Sequence, residues 1–430
     1  MSSLHYVRYG NHPEQRFVSG KLRDTYEGLV YHANLVAGSA GGIAKFVMRE
    51  ALHERPFVVN PITHEFQRPQ GEALQVKAWV RKLADDYYGG PFADAVSRGE
   101  PIAPEAFGGD VRGIVDRVLD FQRNTLNAQA VATEEARYLR FTQPQFALRP
   151  VALICPYLAF LHSEEQCLSV NLRLLETGLT ADPRVAAKLA FPRSLLTSGR
   201  LPGILDGYNE LAPSRYYLWI GDFSELEVRT EELQAFASLL DGLGSRVTNL
   251  YGGFLSMLLS HEDIALLDGV CNGPQYGEDR GLIPTTGFGS PAARFYVRDL
   301  HRRVRYRDAL RLFERLGWLA SEAAYFANVC SCPTCRQLVN EHGPARGFAQ
   351  FGQTKPDKRG VPRTTGRSLV HASNHYMYAK RWERNSILNE GVDTLTAGIQ
   401  EAIERYRQVG QSLTAHLHRW RDLLHELRRV

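Results

Sequence analysis

Short apolar runs recur along the chain at 29 to 36 (LVYHANLV), 56 to 60 (PFVVN), 151 to 159 (VALICPYLA), 185 to 191 (VAAKLAF), 216 to 222 (YYLWIGD), 246 to 251 (RVTNLY) and 266 to 271 (LLDGVC). Most are apolar at consecutive positions rather than alternate ones, the mark of strands buried on both faces. Helical periodicity at 230 to 243 and 254 to 263 separates the later runs, and alternation of this kind predicts a parallel sheet. Seven strands with an eighth not apparent, and no G-x-G-x-x-G after the first, favour a TIM-type (β/α)8 barrel over an open doubly wound sheet.

Residues 72 to 147 break this rhythm with long helical patterns, including DVRGIVDRVLDFQRNTLNAQAVATEEARYLR, and read as a helical insertion. The pattern divides the chain into a first part of the barrel (1 to 71), the insertion (72 to 147), the rest of the barrel with its functional strand ends (148 to 320), and a cysteine-containing subdomain followed by amphipathic helices (321 to 430). With 44% hydrophobic and 23% charged residues in 430, the composition is that of an ordinary globular protein. The amino terminus has no apolar signal segment and no run is long enough to span a bilayer, so no membrane association is expected. Cys155, Cys167 and Cys271 are far apart in apolar contexts, which fits reduced thiols in the cytoplasm.

The net charge of +4 does not by itself indicate a nucleic-acid partner. Its distribution adds more. Eight arginines fall between Arg294 and Arg315, interleaved with Phe295, Tyr296 and Tyr306, and a second basic stretch runs from Lys355 to Arg367. Two readings apply, a solvated helix face with a loop or a surface that meets phosphates. Between them lies NVCSCPTCRQL, with Cys330, Cys332 and Cys335 within six positions. Thiols this close fit a tetrahedral zinc site, whose fourth ligand is open among His342, His371 and His375.

C-x-C-x2-C followed by a histidine at the head of a helix, after a TIM-type barrel, resembles the tRNA-guanine transglycosylase superfamily. The resemblance implies that Cys330, Cys332, Cys335 and His371 bind a structural Zn2+. It also maps VTNLYGGFLSMLLSHEDIALLDGVCNGPQYGED onto the family's strand, glycine turn, helix and strand, which implies that Asp268 is the nucleophile. Where the tRNA enzymes carry a D-S-G motif, this chain has FVVNPITHEFQ, which is more similar to the DNA-acting branch of the superfamily, although Asn60 replaces the usual aspartate.

The function so implied is exchange of guanine in DNA for a 7-deazaguanine base such as preQ0, through a covalent aspartyl-glycosyl intermediate, beside an ATPase partner. Base exchange needs a carboxylate opposite the leaving base and a group that moves its proton. On this reading Asp268 lies at the carboxyl end of a barrel strand, and Asn60 can hydrogen-bond the base or sugar but cannot titrate. Asp222 reads the guanine edge, Gly252 and Gly253 let the base approach, Tyr157 stacks, and Glu278 and Asp279 stand near the site. Two alternatives are a tRNA-guanine transglycosylase and a non-catalytic zinc-containing subunit that binds nucleic acid.

Overall fold

Eight parallel strands close on themselves in sequence order: β1 (Leu4–Tyr9), β2 (Gly28–His32), β3 (Phe57–Asn60), β4 (Leu153–Ile154), β5 (Val185–Pro192), β6 (Tyr216–Gly221), β7 (Val247–Asn249) and β8 (Gly269–Asn272), with β8 pairing back onto β1. This is the architecture of a computed structural model that describes residues 4 to 428 apart from 11, 52–53, 71–75, 131–133, 135–136, 139–140, 142–146, 162, 245, 275–277 and 284–291. It is a TIM-type α/β barrel, and the strand that the apolar pattern does not reveal is the first. In LHYVRY the inward-facing Arg8 and the buried His5 interrupt the apolar run, yet both lie inside the fold.

Several strands are shorter than their apolar runs, most of all those at 29 to 36 and 151 to 159. Residues 33 to 38 turn into helix α1 (Ala33–Gly38) directly after β2, followed by α2 (Ala40–Ala51). The run at 151 to 159 contributes only Leu153–Ile154 as strand because side chains replace the missing ladder. Thr63 Oγ1 donates to the Tyr157 carbonyl at 2.6 Å and accepts from the Tyr157 N–H at 2.9 Å, while the Gln67 amide exchanges bonds of 2.9 and 2.6 Å with Ala159. The ITHEFQ segment after β3 thus acts as a short artificial strand edge.

Between β3 and β4 the chain inserts α3 (Ala78–Tyr87), α4 (Gly90–Ser97) and α5 (Val111–Ala130), which pack through Leu83, Tyr87, Val115 and Leu119. The canonical positions between later strands are filled by α6 (Glu164–Ala181), α7 (Leu201–Glu210), α8 (Thr230–Leu243) and the short α9 (Phe254–Leu259). The arginine-rich run is not one helix. It folds as an antiparallel hairpin, β9 (Arg294–Val297) and β10 (Arg302–Arg305), and then α10 (Tyr306–Arg315).

Cys330 and Cys332 lie between α11 (Glu322–Asn328) and α12 (Pro333–His342), and Cys335 lies in the first turn of α12. After α13 (Pro344–Ala349), the second basic run forms a hairpin, β11 (Thr354–Pro356) with β12 (Pro362–Thr364). The chain ends in α14 (Gly366–Asn389), α15 (Val392–Tyr406) and α16 (Ala415–Leu427). No described helix is long and apolar enough to cross a membrane.

Inside the barrel, large and small side chains must alternate to fill the taper. Gly28 of β2 is in register with Tyr6 of β1, and a Cβ at position 28 would lie 2.5 Å from the Tyr6 ring and 3.1 Å from the Pro56 carbonyl. The Gly28→Ala variant should therefore lose about 1 to 3 kcal/mol by overpacking. A urea midpoint equal to that of the parent protein would contradict this.

Candidate functional site

Four side chains that could hold a metal ion come from two places. The turn before α12 presents Cys330 and Cys332 and the first turn of α12 presents Cys335, shaped by their own hydrogen bonds: the Cys332 N–H donates to Cys330 Sγ at 3.3 Å and the Cys335 N–H to Cys332 Sγ at 3.5 Å. The fourth donor is His375 of α14, and the four ligand atoms all lie within 4.8 Å of one another. His375 Nδ1 is 3.6 Å from both Cys332 Sγ and Cys335 Sγ. A tetrahedral zinc with bonds of roughly 2.3 Å to sulfur and 2.0 Å to nitrogen sets its ligands about 3.6 Å apart, so this donor set fits the ion. His375 Nε2 donates to the Tyr296 carbonyl at 2.8 Å, which leaves Nδ1 as the lone-pair side.

This corrects the assignment of His371. His371 lies one turn earlier on α14, with its ring 6.2 Å from that of Phe351 and outside the cluster. The i, i+4 spacing places both histidines on neighbouring turns, and the cysteine turn meets the helix at the later one. His342 ends α12 as an exposed residue beside Glu341.

Asp268 requires a second correction. It precedes β8 and therefore sits at the amino end of the barrel, where its N–H donates to the Val247 carbonyl, its carbonyl accepts from Leu4, and Oδ2 pairs with Arg215 at 2.8 Å. Leu4, Arg215 and Val247 all stand at strand starts, so Asp268 ties the closed end of the barrel together. Barrel chemistry takes place at the other end. The apolar run LLDGVC contains both the approach to the strand and the strand itself, so its pattern did not distinguish entry from exit.

The carboxyl end carries most of the other expected residues, in changed roles. Asn60 ends β3 and accepts from Lys188 Nζ at 2.9 Å. Tyr157 stands beside it, its hydroxyl 2.8 Å from the same Nζ and 2.7 Å from His64 Nδ1. Asp222 follows β6 as an exposed residue at the rim, with its N–H donating to the Arg280 carbonyl. Gly252 is needed for packing, since a Cβ there would lie 2.7 Å from both Ser256 and Val270.

Gly253 makes room for acids. A Cβ at 253 would lie 2.8 Å from Glu225 Oε2 and 2.8 Å from Glu278 Oε2, so the two carboxylates face one another over the glycine. Glu225 accepts from the Gly253 N–H at 2.9 Å and from the Ser256 N–H and hydroxyl. Burial pushes its carboxyl up to about 7, opposed by the Ser256 and Gly253 donors and assisted by the charge of Glu278. Glu278 accepts from Lys380 Nζ at 2.6 Å and from the Tyr376 hydroxyl at 3.0 Å. Although burial opposes the Lys380 charge, Glu278 and Glu383 hold the ammonium above its ordinary value.

A cleft of about 450 Å³ reaches this pair, lined also by Asp279 and by Arg294, Arg302, Arg303 and Arg305 of the hairpin. Arg303 donates to the carbonyls of Gly273 and Pro274 just beyond β8 and stacks 3.7 Å above the Tyr376 ring. Other members of the run are structural: Arg298 stacks on Trp382 and Arg315 donates to the Gln408 carbonyl. In the second hairpin Asp357 accepts from the N–H groups of Arg359 and Val361 and pairs with Arg363, leaving Lys355, Lys358 and Arg359 exposed. Thr364 accepts from the Ala293 N–H, so the two basic segments adjoin.

Sequence reasoning missed Lys188 and Glu225. Lys188 had a signal, a single charge inside the apolar strand VAAKLAF, where burial on both faces leaves no route to solvent. Glu225 lies among several loop acids and had none.

The protein should bind a single zinc per chain, lost in Cys332→Ser and in His375→Ala but retained in His371→Ala, as read by metal analysis of purified protein. Zinc retained in His375→Ala and lost in His371→Ala would reverse the assignment. Comparison with models of protein families, with curated proteins and with solved structures finds no match to this chain.

Proposed function

We propose that the protein is a transglycosylase that exchanges guanine in DNA for a 7-deazaguanine base such as preQ0, with its chemistry at Glu225 and Glu278 rather than at Asp268. The observation that carries this reading is the facing carboxylate pair in a cleft lined by both acids and the arginines of the hairpin. Two acids on either side of a sugar are the minimum for double displacement at C1′, and their oxygens are no more than about twice 2.8 Å apart. Retaining glycosidases work at a separation of roughly 5 Å.

The two environments divide the roles. Glu278, donated to by Lys380 and Tyr376, presents a carboxylate that attacks C1′ as the bond from C1′ to the base breaks. The electron pair leaves with the base, and Glu225 supplies the proton that the departing guanine takes up. The incoming base then displaces Glu278 from C1′ and returns its proton to Glu225. Arginines of the β9–β10 hairpin and the exposed basic residues of β11–β12 contact phosphates, which requires the target nucleotide to be single-stranded or turned out of its stack.

Zinc bound at the Cys3His cluster plays no part in these bonds. When present it would join the cysteine turn to α14, the helix that also carries Tyr376 and Lys380. An ATPase partner belongs to the same reading. A tRNA substrate is its nearest rival and is distinguished by the exchange assay itself.

Radiolabelled guanine or preQ0 should enter DNA and not tRNA. Glu278→Gln should lower the exchange rate at least a hundredfold, and Asp268→Asn should leave it within a fewfold of the parent while lowering thermal stability. Because Glu225 must hold a proton, activity should fall as pH rises through about 7. Glu225→Gln should remove that limb along with most of the activity. Loss of exchange in Asp268→Asn in a folded protein would overturn the placement of the chemistry. Absence of exchange on both nucleic acids, with the partner present, would leave a nucleic-acid-binding subunit.

A further inference from the structure

Lys188 belongs to neither the acid pair nor the metal cluster. It projects from the middle of β5 into the barrel, where it is 1% exposed. Its Nζ donates to Asn60 Oδ1 at 2.9 Å and to the Tyr157 hydroxyl at 2.8 Å, and lies 4.3 Å from the centre of the Tyr157 ring and 5.2 Å from that of Trp219. Both hydrogen-bond partners are neutral, and no carboxylate pairs with Lys188 among the described residues. An unpaired ammonium in such a place is costly. Burial first, and then the positive charge of Arg280, hold its pKa well below the ordinary lysine value.

Its neighbours form a proton path and a rim of arginines and carboxylates, the latter Glu65, 3.8 Å from His64 Nε2, and Glu14 beside His32. Tyr157 accepts from Lys188 and donates to His64 Nδ1, and burial keeps His64 neutral, so the imidazole proton is on Nε2. Among the described residues that buried Nε2 has no hydrogen-bond partner, and neither has Nε2 of His32 at the end of β2. Arg280 is anchored through its carbonyl to Trp219 Nε1 at 3.0 Å, and its charge acts on Lys188, His32 and His64. Arg8, stacked on Tyr251 at 4.0 Å, adds a further cation on the His32 side. Leu282 packs among the inward-facing residues and against Gly221, so residues 278 to 283 cover this end and must move aside to admit a ligand.

We propose that Lys188 is a covalent nucleophile whose amine condenses with the carbonyl carbon of an aldehyde or ketone that also carries phosphate or carboxylate. The Nζ lone pair adds to the carbonyl carbon and the C=O electron pair moves to oxygen. Transfer of a proton from nitrogen to that oxygen, relayed by Tyr157, gives a carbinolamine, and loss of water gives the imine. No oxidant or reductant is consumed. Arg280 and Arg8 would hold the anionic group, in a setting that also contains the Glu65 and Glu14 carboxylates. This activity stands apart from base exchange, which uses other residues.

The whole protein would be incubated with sodium borohydride, which reduces an imine to a stable amine, and with one of three probes: pyruvate, glyceraldehyde 3-phosphate, or an oligonucleotide containing an abasic site. Peptide mass analysis should find one adduct per chain on Lys188. Lys188→Met, which preserves the volume of the side chain, should abolish it, and Tyr157→Phe should slow its formation at least tenfold with the lysine still present. An adduct with the oligonucleotide alone would identify a nucleic-acid sugar as the source of the carbonyl, and one with the small acids alone a free metabolite-sized compound. Failure of all three probes to label Lys188 in zinc-loaded, cooperatively folded protein would overturn the proposal, as would equal labelling of Lys188→Met. Base exchange measured in parallel separates the two readings: exchange with no Lys188 adduct removes this one alone, and an adduct with no exchange removes the other.

Discussion

Lys380 is the interaction on which the mouth of the barrel depends. Its ammonium is fully buried and bonded to Glu278 at 2.6 Å, Glu383 at 2.9 Å and the Tyr296 hydroxyl at 2.9 Å. Glu383 in turn accepts from Tyr296 and from His301 Nδ1. A buried ion group is tolerated only when every member is satisfied, and removal of one partner leaves the others as uncompensated charge. Here the members come from the segment after β8, from the β9–β10 hairpin and from α14, so the network fixes three separate parts of the chain to one another.

The same helix places His375 against the cysteine turn, a little over one turn before Lys380. A zinc ion that held His375 would therefore set the position of Tyr376 and Lys380, and through them Glu278. The metal would govern the mouth by position alone, as structural zinc generally does. The β9–β10 hairpin completes the connection, since the Tyr296 carbonyl fixes the His375 tautomer and Arg303 clamps the end of β8.

How far the sequence could be read depended on which physical signal each residue carries. Continuous apolar runs such as VAAKLAF and YYLWIGD mark strands buried on both faces, and the closed barrel follows from their number and spacing. The cysteine spacing is equally direct, because three thiols within six residues have few other uses. Sequence periodicity cannot tell one end of a strand from the other, so it offers no check on the resemblance, which implies a role for Asp268 at the carboxyl end of β8 although the residue precedes that strand. Nor can it tell which of two histidines one turn apart meets a partner distant in sequence; the resemblance implies His371, and the cysteines meet His375. In β1, His5 and Arg8 concealed a strand because their partners, Asn272 and the Leu250 carbonyl, are more than 200 residues away. The facing acids were hidden for the same reason: Glu225 and Glu278 converge on Gly253 from two different loops.

The central claim is that the metal-bound helix holds the mouth in place, and hydrogen exchange tests it most directly. Amide exchange of α14 and of residues 278 to 283 would be compared in zinc-loaded and chelated protein, with β5 and β6 as internal references. The account predicts that chelation deprotects both segments together while the barrel strands keep their protection. Deprotection confined to the cysteine turn, with residues 278 to 283 unchanged, would show that the mouth stands without the metal and would contradict the account.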